Sequence, residues 1–293
     1  MGVGTQSIQV IPSIEDVGLG YAAWLVDIWG VMHNGVRAFA PAVDATRRFR
    51  ERGGLVLLLS NSPRPSEALR QQLRNLGVAD QSYDATISSG DLTRCELEKR
   101  GGSCVFHLGP KRYLPIFAGL DLSRVDSSQA ELVVCTGLFD DETETPDDYR
   151  DLLANLVQRG LVMFCANPDQ MVERGDRLVY CAGALAHLYE ELGGRVIYAG
   201  KPHLPIYKLA FETLDQLAGK SVPRSKILAI GDGVRTDMAG AAAAGIDAVF
   251  VASGLHLGAG EDGADAPKLD DRSLANLFRE AKPPIAAMPA LIW

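Results

Sequence analysis

The sequence predicts an α/β fold: a mainly parallel sheet assembled from strand–helix units, with a second α/β module set into it. Three observations predict it. Short apolar runs alternate with amphipathic helical patterns along almost all of the 293 residues, the signature of β-α units. Several of those runs are apolar throughout, as strands covered by helices on both faces are. The chain is also long for one domain and comfortable for two, since domains usually run to about 100–200 residues.

The elements follow in order. Ala22–Val26 reads as a first strand, and Pro41 opens a helix that Gly53-Gly54 stops just after Arg52. Leu55–Leu59 is a continuous apolar run suited to a doubly covered strand. Ser66 is placed to cap the next helix, whose Leu69, Leu73 and Leu76 share a face before Gly77 closes it. The middle of the chain has strands of its own at Cys104–His107, Leu132–Cys135 and Val162–Cys165, with helices over about 147–159 and 184–192. Residues 91–193 therefore read as an inserted α/β module, and residues 1–90 with 194–293 as the core that it interrupts. The core resumes with a strand at Val196–Ala199 and a helix from Pro205 carrying Ile206, Leu209, Leu214 and Leu217 on one side. A strand at Ile227–Ile230, a small-residue helix at Met238–Ala244 and a strand at Ile246–Val251 complete it. The acidic stretch Asp140–Asp148 reads as a solvated surface loop.

Composition removes several classes of function. A content of 47% hydrophobic and 23% charged residues is that of a globular protein, not of a disordered or collagenous one. Lys and Arg number 29 against 37 Asp and Glu, a formal charge of −8 that repels phosphate backbones and anionic lipid, so neither nucleic acid nor membrane is expected as a partner. The 5 cysteines, Cys95, Cys104, Cys135, Cys165 and Cys181, are odd in number and form no C-x-x-C pair. Buried free thiols are expected. The N-terminus lacks a basic segment followed by an apolar run, and no stretch approaches 18 apolar residues, so a soluble, cytoplasmic protein is expected.

Four patterns carry chemistry, each at the C-terminal end of an expected strand, where open α/β sheets bind ligands. They are Asp27-Ile28-Trp29-Gly30, Ser60-Asn61-Ser62, Gly200-Lys201-Pro202 and Gly231-Asp232-Gly233-Val234-Arg235-Thr236-Asp237. Singly each has a mundane reading, as a helix cap, a turn or a chance tripeptide. Together they make a site. Asp27 and Asp232 can hold a hard cation through oxygen, Lys201 supplies positive charge, and Ser60 with backbone N–H groups supplies donors. That set suits phosphoryl transfer, in which positioning and charge stabilisation dominate. One literal dinucleotide-binding match, Gly258-Ala259-Gly260-Glu261-Asp262-Gly263, lacks a helical pattern after it and is set aside. A receiver-type signalling domain would place its acidic pair first and its phosphorylated Asp later, in a shorter chain.

The order strand-Asp, strand-Ser, Lys and GDxxxxD resembles the haloacid dehalogenase superfamily of aspartate-nucleophile phosphatases. Asn167-Pro168-Asp169 and Gly183-Ala184-Leu185 narrow the resemblance to subclass IIA, the relatives of 4-nitrophenylphosphatase and of sugar-phosphate and nucleotide phosphatases. The resemblance implies a Rossmann-like core with an inserted α/β cap of the C2a type. It also implies a small phosphorylated metabolite as substrate and Mg²⁺ as cofactor, and it leaves oligomeric state open, with a homodimer as a form that relatives adopt. Carried over by position, Asp27 is the nucleophile that becomes an aspartyl phosphate. Asp27, the Trp29 carbonyl and Asp232 are metal ligands, with Asp237 a ligand or an orienter of one. Ser60 and Lys201 act on the phosphoryl group, and Gly30, Asn61, Ser62, Asn167 and Asp169 line the substrate site. His187, Tyr189 and His203 are expected in satisfied surface or interface roles.

One position departs from the pattern. The family's D-x-D carries a second Asp that protonates the leaving oxygen, and here Trp29 stands in its place. A positioned acid is typically worth ~10²–10⁴ in rate, so a weakened enzyme is expected. Three readings follow: substrates whose leaving group needs no proton, such as aryl or acyl phosphates; a stand-in acid, with His33 the nearest candidate; or a catalytically weak phosphate-binding or regulatory protein. On the missing-acid view, Trp29→Asp raises turnover of alkyl phosphates more than of aryl phosphates.

Overall fold

The computed structural model describes residues 8–174, 177–252 and 269–293. The chain divides into two compact units: Met1–Leu59, Leu73–Thr86 and Tyr207–Trp293 form the first, and Ser60–Gln72 with Ile87–Ile206 form the second. The dinucleotide-like match at 258–263 lies outside the described residues.

The first unit is organised on a seven-stranded sheet. Its strands are β1 (Gln9–Val10), β2 (Ala23–Asp27), β3 (Leu55–Ser60), β4 (Ala85–Ser88), β12 (Ile227–Gly231), β13 (Asp247–Val251) and β14 (Ala286–Met288), in the order β1-β14-β13-β12-β2-β3-β4. The pairs from β1 through β3 are parallel. Ala23, Trp24 and Val26 are fully buried, as are Val56, Leu57 and Leu58, which is why neither strand alternates polar with apolar residues. Helices α1 (Glu15–Gly18), α2 (Ala40–Glu51), α8 (Ala239–Ala244) and α9 (Asp271–Leu277) belong to this unit, while α3 (Ser66–Leu76) and α7 (Leu204–Ala218) have residues in both units. The Trp24 ring stacks on Phe49 of α2 at 3.8 Å, and its indole N–H donates to the Gly18 carbonyl at 3.2 Å.

The second unit has a five-stranded sheet, β11-β8-β7-β5-β6, built from β5 (Cys104–Leu108), β6 (Ser123–Arg124), β7 (Leu132–Cys135), β8 (Val162–Cys165) and β11 (Arg195–Tyr198). All its pairs are parallel. The strands β9 (Met171–Arg174) and β10 (Arg177–Tyr180) form a separate antiparallel pair. Helices α4 (Ser89–Glu98), α5 (Arg150–Gln158) and α6 (Ala182–Glu191) complete the unit. Two cores flank the sheet, and successive residues of β7 alternate between them: Val133 and Cys135 join Leu153, Met163 and Leu185, whereas Leu132 and Val134 join Val105, Ile116 and Phe164.

Several expectations need correction. Ser66 is the first residue of α3, not the residue before it, and its hydroxyl donates to the Asp91 carboxylate. Leu217 is 45% exposed, because the last turn of α7 runs past the buried stripe of Ile206, Tyr207, Ala210 and Leu214. The segment before α8 is a π-turn, Val234–Met238. Cys135, Cys165 and Cys181 are buried free thiols, but Cys95 is exposed on α4 and Cys104 half-buried. The acidic stretch is not uniformly solvated: the Asp141 carboxylate is only 8% exposed and paired with Arg112 and Arg174. Among the described residues no helix is long and apolar enough to cross a membrane.

Candidate active site

The pairing of β2 with β12 brings two carboxylates to one sheet edge. Ile230 lies opposite Val26, so Asp27 ends one strand beside the Gly231-Asp232 end of its neighbour. Asp237 arrives on the π-turn that follows, whose closing bond runs from the Met238 N–H to the Gly233 carbonyl at 3.0 Å. The carboxylates of Asp27, Asp232 and Asp237 are buried, and one oxygen from each lies within 4.8 Å of the others. Three carboxylates buried together repel one another and lack bulk water to screen them. A hard divalent cation removes that repulsion and takes oxygen ligands, so the donor set fits Mg²⁺.

Glycines make the cluster possible. A Cβ at Gly30, whose φ is +84°, would collide with the Asp232 carboxylate, and one at Gly231 would collide with Asp237. Asp237 is further fixed by the Gly233 N–H, which donates to its Oδ2 at 3.1 Å. The Gly30 N–H is spent inside its own loop, donating to the His33 carbonyl at 2.8 Å.

Trp29 is built into that loop. Its ring meets the His33 imidazole edge to face at 5.1 Å, and a Cβ at Gly35 (φ +84°) would strike the indole. His33 is 1% exposed. Its Nδ1 accepts the Gly35 N–H at 3.0 Å, while Nε2 has no hydrogen-bond partner among the described residues. The Nδ1 acceptor bond assigns the proton to Nε2. Burial pushes the imidazole pKa down to about 4, so near neutral pH His33 is uncharged.

The other sequence-predicted residues gather in the second unit around Asn61. Its Nδ2 donates to Asp169 Oδ1 at 2.8 Å and to the Lys201 carbonyl at 3.1 Å, and its Oδ1 accepts the Lys201 N–H at 2.8 Å. Ser89 also donates to that oxygen, at 3.4 Å. Asn61 therefore clamps the Lys201 backbone from both sides. Lys201 and Asn61 are buried. A Cβ at Gly200 would meet Ser89 and Asn61, which accounts for the glycine before the lysine. Asn167 accepts the Asp169 N–H at 3.1 Å in an Asx turn. Gly183 N–H donates to the Asp169 carbonyl at 3.1 Å, and a Cβ there would strike that turn. Ser60 and Ser62 form successive hydroxyl turns: Ser60 Oγ accepts the Ser62 N–H at 3.1 Å, and Ser62 Oγ accepts the Arg64 N–H at 3.2 Å.

The remaining candidates have structural roles. Tyr189 donates to the Leu161 carbonyl at 2.7 Å from within the core, His203 stacks on Tyr198 at 4.9 Å, and exposed His187 lies 3.4 Å from Glu191. Ser89 and the arginines around Asp141 went unmarked in the sequence, since nothing local distinguishes them.

No curated sequence matches the chain significantly. Two family models do: a haloacid dehalogenase-like hydrolase over residues 24–123 and a HAD-hydrolase-like family over 198–276. A solved hydrolase of the haloacid dehalogenase-like family from Brucella suis 1330 is 44% identical, with a TM-score of 0.84 over 97% of this chain and 100% of that one. The chain belongs to the haloacid dehalogenase-like hydrolases. Within this family's fold it also superposes on a possible sugar phosphatase from Cytophaga hutchinsonii (21% identity, TM-score 0.77, 97% and 98% of the two chains). A p-nitrophenyl phosphatase from Archaeoglobus fulgidus gives 19% identity and a TM-score of 0.70 over 92% and 96%.

Proposed function

We propose that this haloacid dehalogenase-like hydrolase is a Mg²⁺-dependent phosphohydrolase of a small phosphorylated metabolite such as a sugar phosphate, a nucleotide or an aryl phosphate, acting in the cytoplasm. The observation that carries the proposal is the buried, mutually close set Asp27, Asp232 and Asp237 at adjoining strand ends. In support, two chains of the same fold are described as a possible sugar phosphatase and a p-nitrophenyl phosphatase. We assign residues 91–193 as the inserted cap.

Asp27 attacks phosphorus through a carboxylate oxygen, the bond from phosphorus to the leaving oxygen breaks, and that oxygen departs with the electron pair. Water then attacks the phosphorus of the aspartyl phosphate, releasing phosphate and restoring the carboxylate. Asp27, the Trp29 carbonyl, Asp232 and Asp237 would hold Mg²⁺, which neutralises charge on the transferring oxygens. We assign Ser60 and Lys201 to the phosphoryl group, and Asn61 to positioning Lys201. Trp29 cannot donate the proton that a family Asp would give, and His33 is not given that task, since burial leaves it uncharged and its Nδ1 is occupied. Leaving groups stable as anions are therefore favoured, aryl phosphates above alkyl ones.

The locked Trp29 also favours a second reading, a catalytically weak phosphate-binding protein. Release of 4-nitrophenol from 4-nitrophenyl phosphate with Mg²⁺ separates the two. Turnover that is abolished by Asp27→Asn supports the enzyme; phosphate binding without turnover supports the binder.

A further inference from the structure

Outside the carboxylate cluster, the second unit holds an unusual gathering of guanidinium groups. Arg64 leaves the hydroxyl-turn loop that begins at Ser60 and lies over the Tyr113 ring, 5.2 Å from its centre. Arg112 lies over the same ring at 5.0 Å and also pairs with Asp141. Arg174, at the end of β9, grips Asp141 with both Nη atoms, at 3.0 and 2.6 Å. Two of these three permanently charged groups thus share a single carboxylate, in a chain whose formal charge is −8. Arg64 has no carboxylate partner among the described residues. Arg112 and Arg174 each remain 37% exposed, with N–H groups left over after Asp141 is served.

Chain connectivity ties this cluster to the phosphate-binding loop. Arg64 is four residues beyond Ser60, so at most about 14 Å of backbone separates them, and the two hydroxyl turns shorten it. Ser60 and Arg64 thus belong to one short loop.

We propose that Arg64, Arg112 and Arg174 form a binding site for an oxyanion at the distal end of the substrate, so that the preferred substrates are phosphate esters carrying a second acidic group, a carboxylate or another phosphate. The proposal rests on the phosphohydrolase reading for the word substrate but not for the existence of the site. Planar guanidiniums bind carboxylate and phosphate through paired, charge-assisted bonds, and the Tyr113 ring is in contact with two of them. Asp141 orients Arg112 and Arg174: burial would by itself raise its pKa, yet the Arg174 and Arg112 guanidiniums hold it below the usual carboxylate range.

The test uses one carbon frame with three distal groups: phenyl phosphate, 4-carboxyphenyl phosphate and 1,4-phenylene bisphosphate, assayed with Mg²⁺. The wild type is expected to show kcat/KM at least about tenfold higher for one or both doubly anionic esters than for phenyl phosphate, through KM. Which ester gains more distinguishes carboxylate from phosphate. In Arg64→Gln and Arg174→Gln that ratio should fall toward one. Calorimetric titration with phenylphosphonate and 4-phosphonobenzoate reads the same preference without turnover. Failure of every ester to turn over, with the phosphonate preference intact and lost in the variants, would sink the phosphohydrolase reading and leave the site standing. An equal response to one and two anionic groups in the wild type would overturn the site. So would variants that lower the melting temperature but keep the ratio, since the arginines would then be a structural ion pair.

Discussion

At the scale of the residue, Trp29 carries the most weight. Seen only as a missing acid, it invites replacement by Asp, yet its indole packs against the His33 ring and close to Gly35. Trp29→Asp alone should therefore remove packing, lower the melting temperature and give no rise in alkyl phosphate turnover, as parallel thermal melts and assays would show. Gly30→Ala should be as damaging as loss of a ligand, because a Cβ in the left-handed region costs ~1–2 kcal/mol and would also displace Asp232. Its measure is Mg²⁺ affinity by titration. His107 offers a pH test in the second unit. It is partly buried, its Nε2 shares a 2.8 Å bond with Thr136, and burial first, then nearby Arg124, pushes its pKa down to about 4. The unfolded chain takes up this proton first. The stability His107 contributes is thus present above pH ~6.5 and lost as pH falls toward 4, by at most about 1.4 kcal/mol per pH unit. His107→Gln should flatten the melting-temperature profile across that window.

At the scale of the element, strand ends were the most legible part of the sequence and side-chain partners the least. A doubly covered strand reads directly from Leu55–Leu59, and Asp27 and Asp232 stand out because each follows such a run. The carboxylate site is legible for that reason. Asn61 was not, since an amide after a strand binds phosphate or backbone equally well, and only the fold shows it clamping Lys201. Asp141 misled for the opposite reason: its neighbours in sequence are acidic, while the arginines that pair with it come from other segments. Leu217 shows that periodicity gives a direction and not a depth. Asn61→Ala deletes both bonds to the Lys201 backbone and the bond to Asp169. If Lys201 acts on the transferring phosphoryl group, kcat should fall by ~10²-fold, the order expected when a catalytic group is misplaced by about 1 Å. Steady-state kinetics would show the fall in kcat rather than KM.

At the scale of the whole molecule, a chain with a formal charge of −8 concentrates three carboxylates in one buried cluster, and its stability should answer to the cation. Mg²⁺ at 100 times its dissociation constant stabilises the folded state by ~2.7 kcal/mol if the unfolded chain does not bind it. Thermal melts with and without Mg²⁺ should differ accordingly, and Asp232→Asn should remove most of the difference. An unchanged melting temperature in the wild type would refute the metal assignment independently of any substrate.

The pairing of Ala23–Val26 with Ile227–Ile230 has a kinetic consequence. These neighbouring strands are about 200 residues apart in sequence, and contacts so distant form late, after most of the loop-closure entropy has been overcome. The carboxylate cluster is then absent from early folding species and from any nascent chain that has not yet supplied its later strand. Added Mg²⁺ should accordingly leave the refolding rate nearly unchanged and act on the unfolding rate, as interactions absent from the transition state do. Occupancy of the cluster by a cation would in that sense be a timer: it would record that two distant strands of the polypeptide have met.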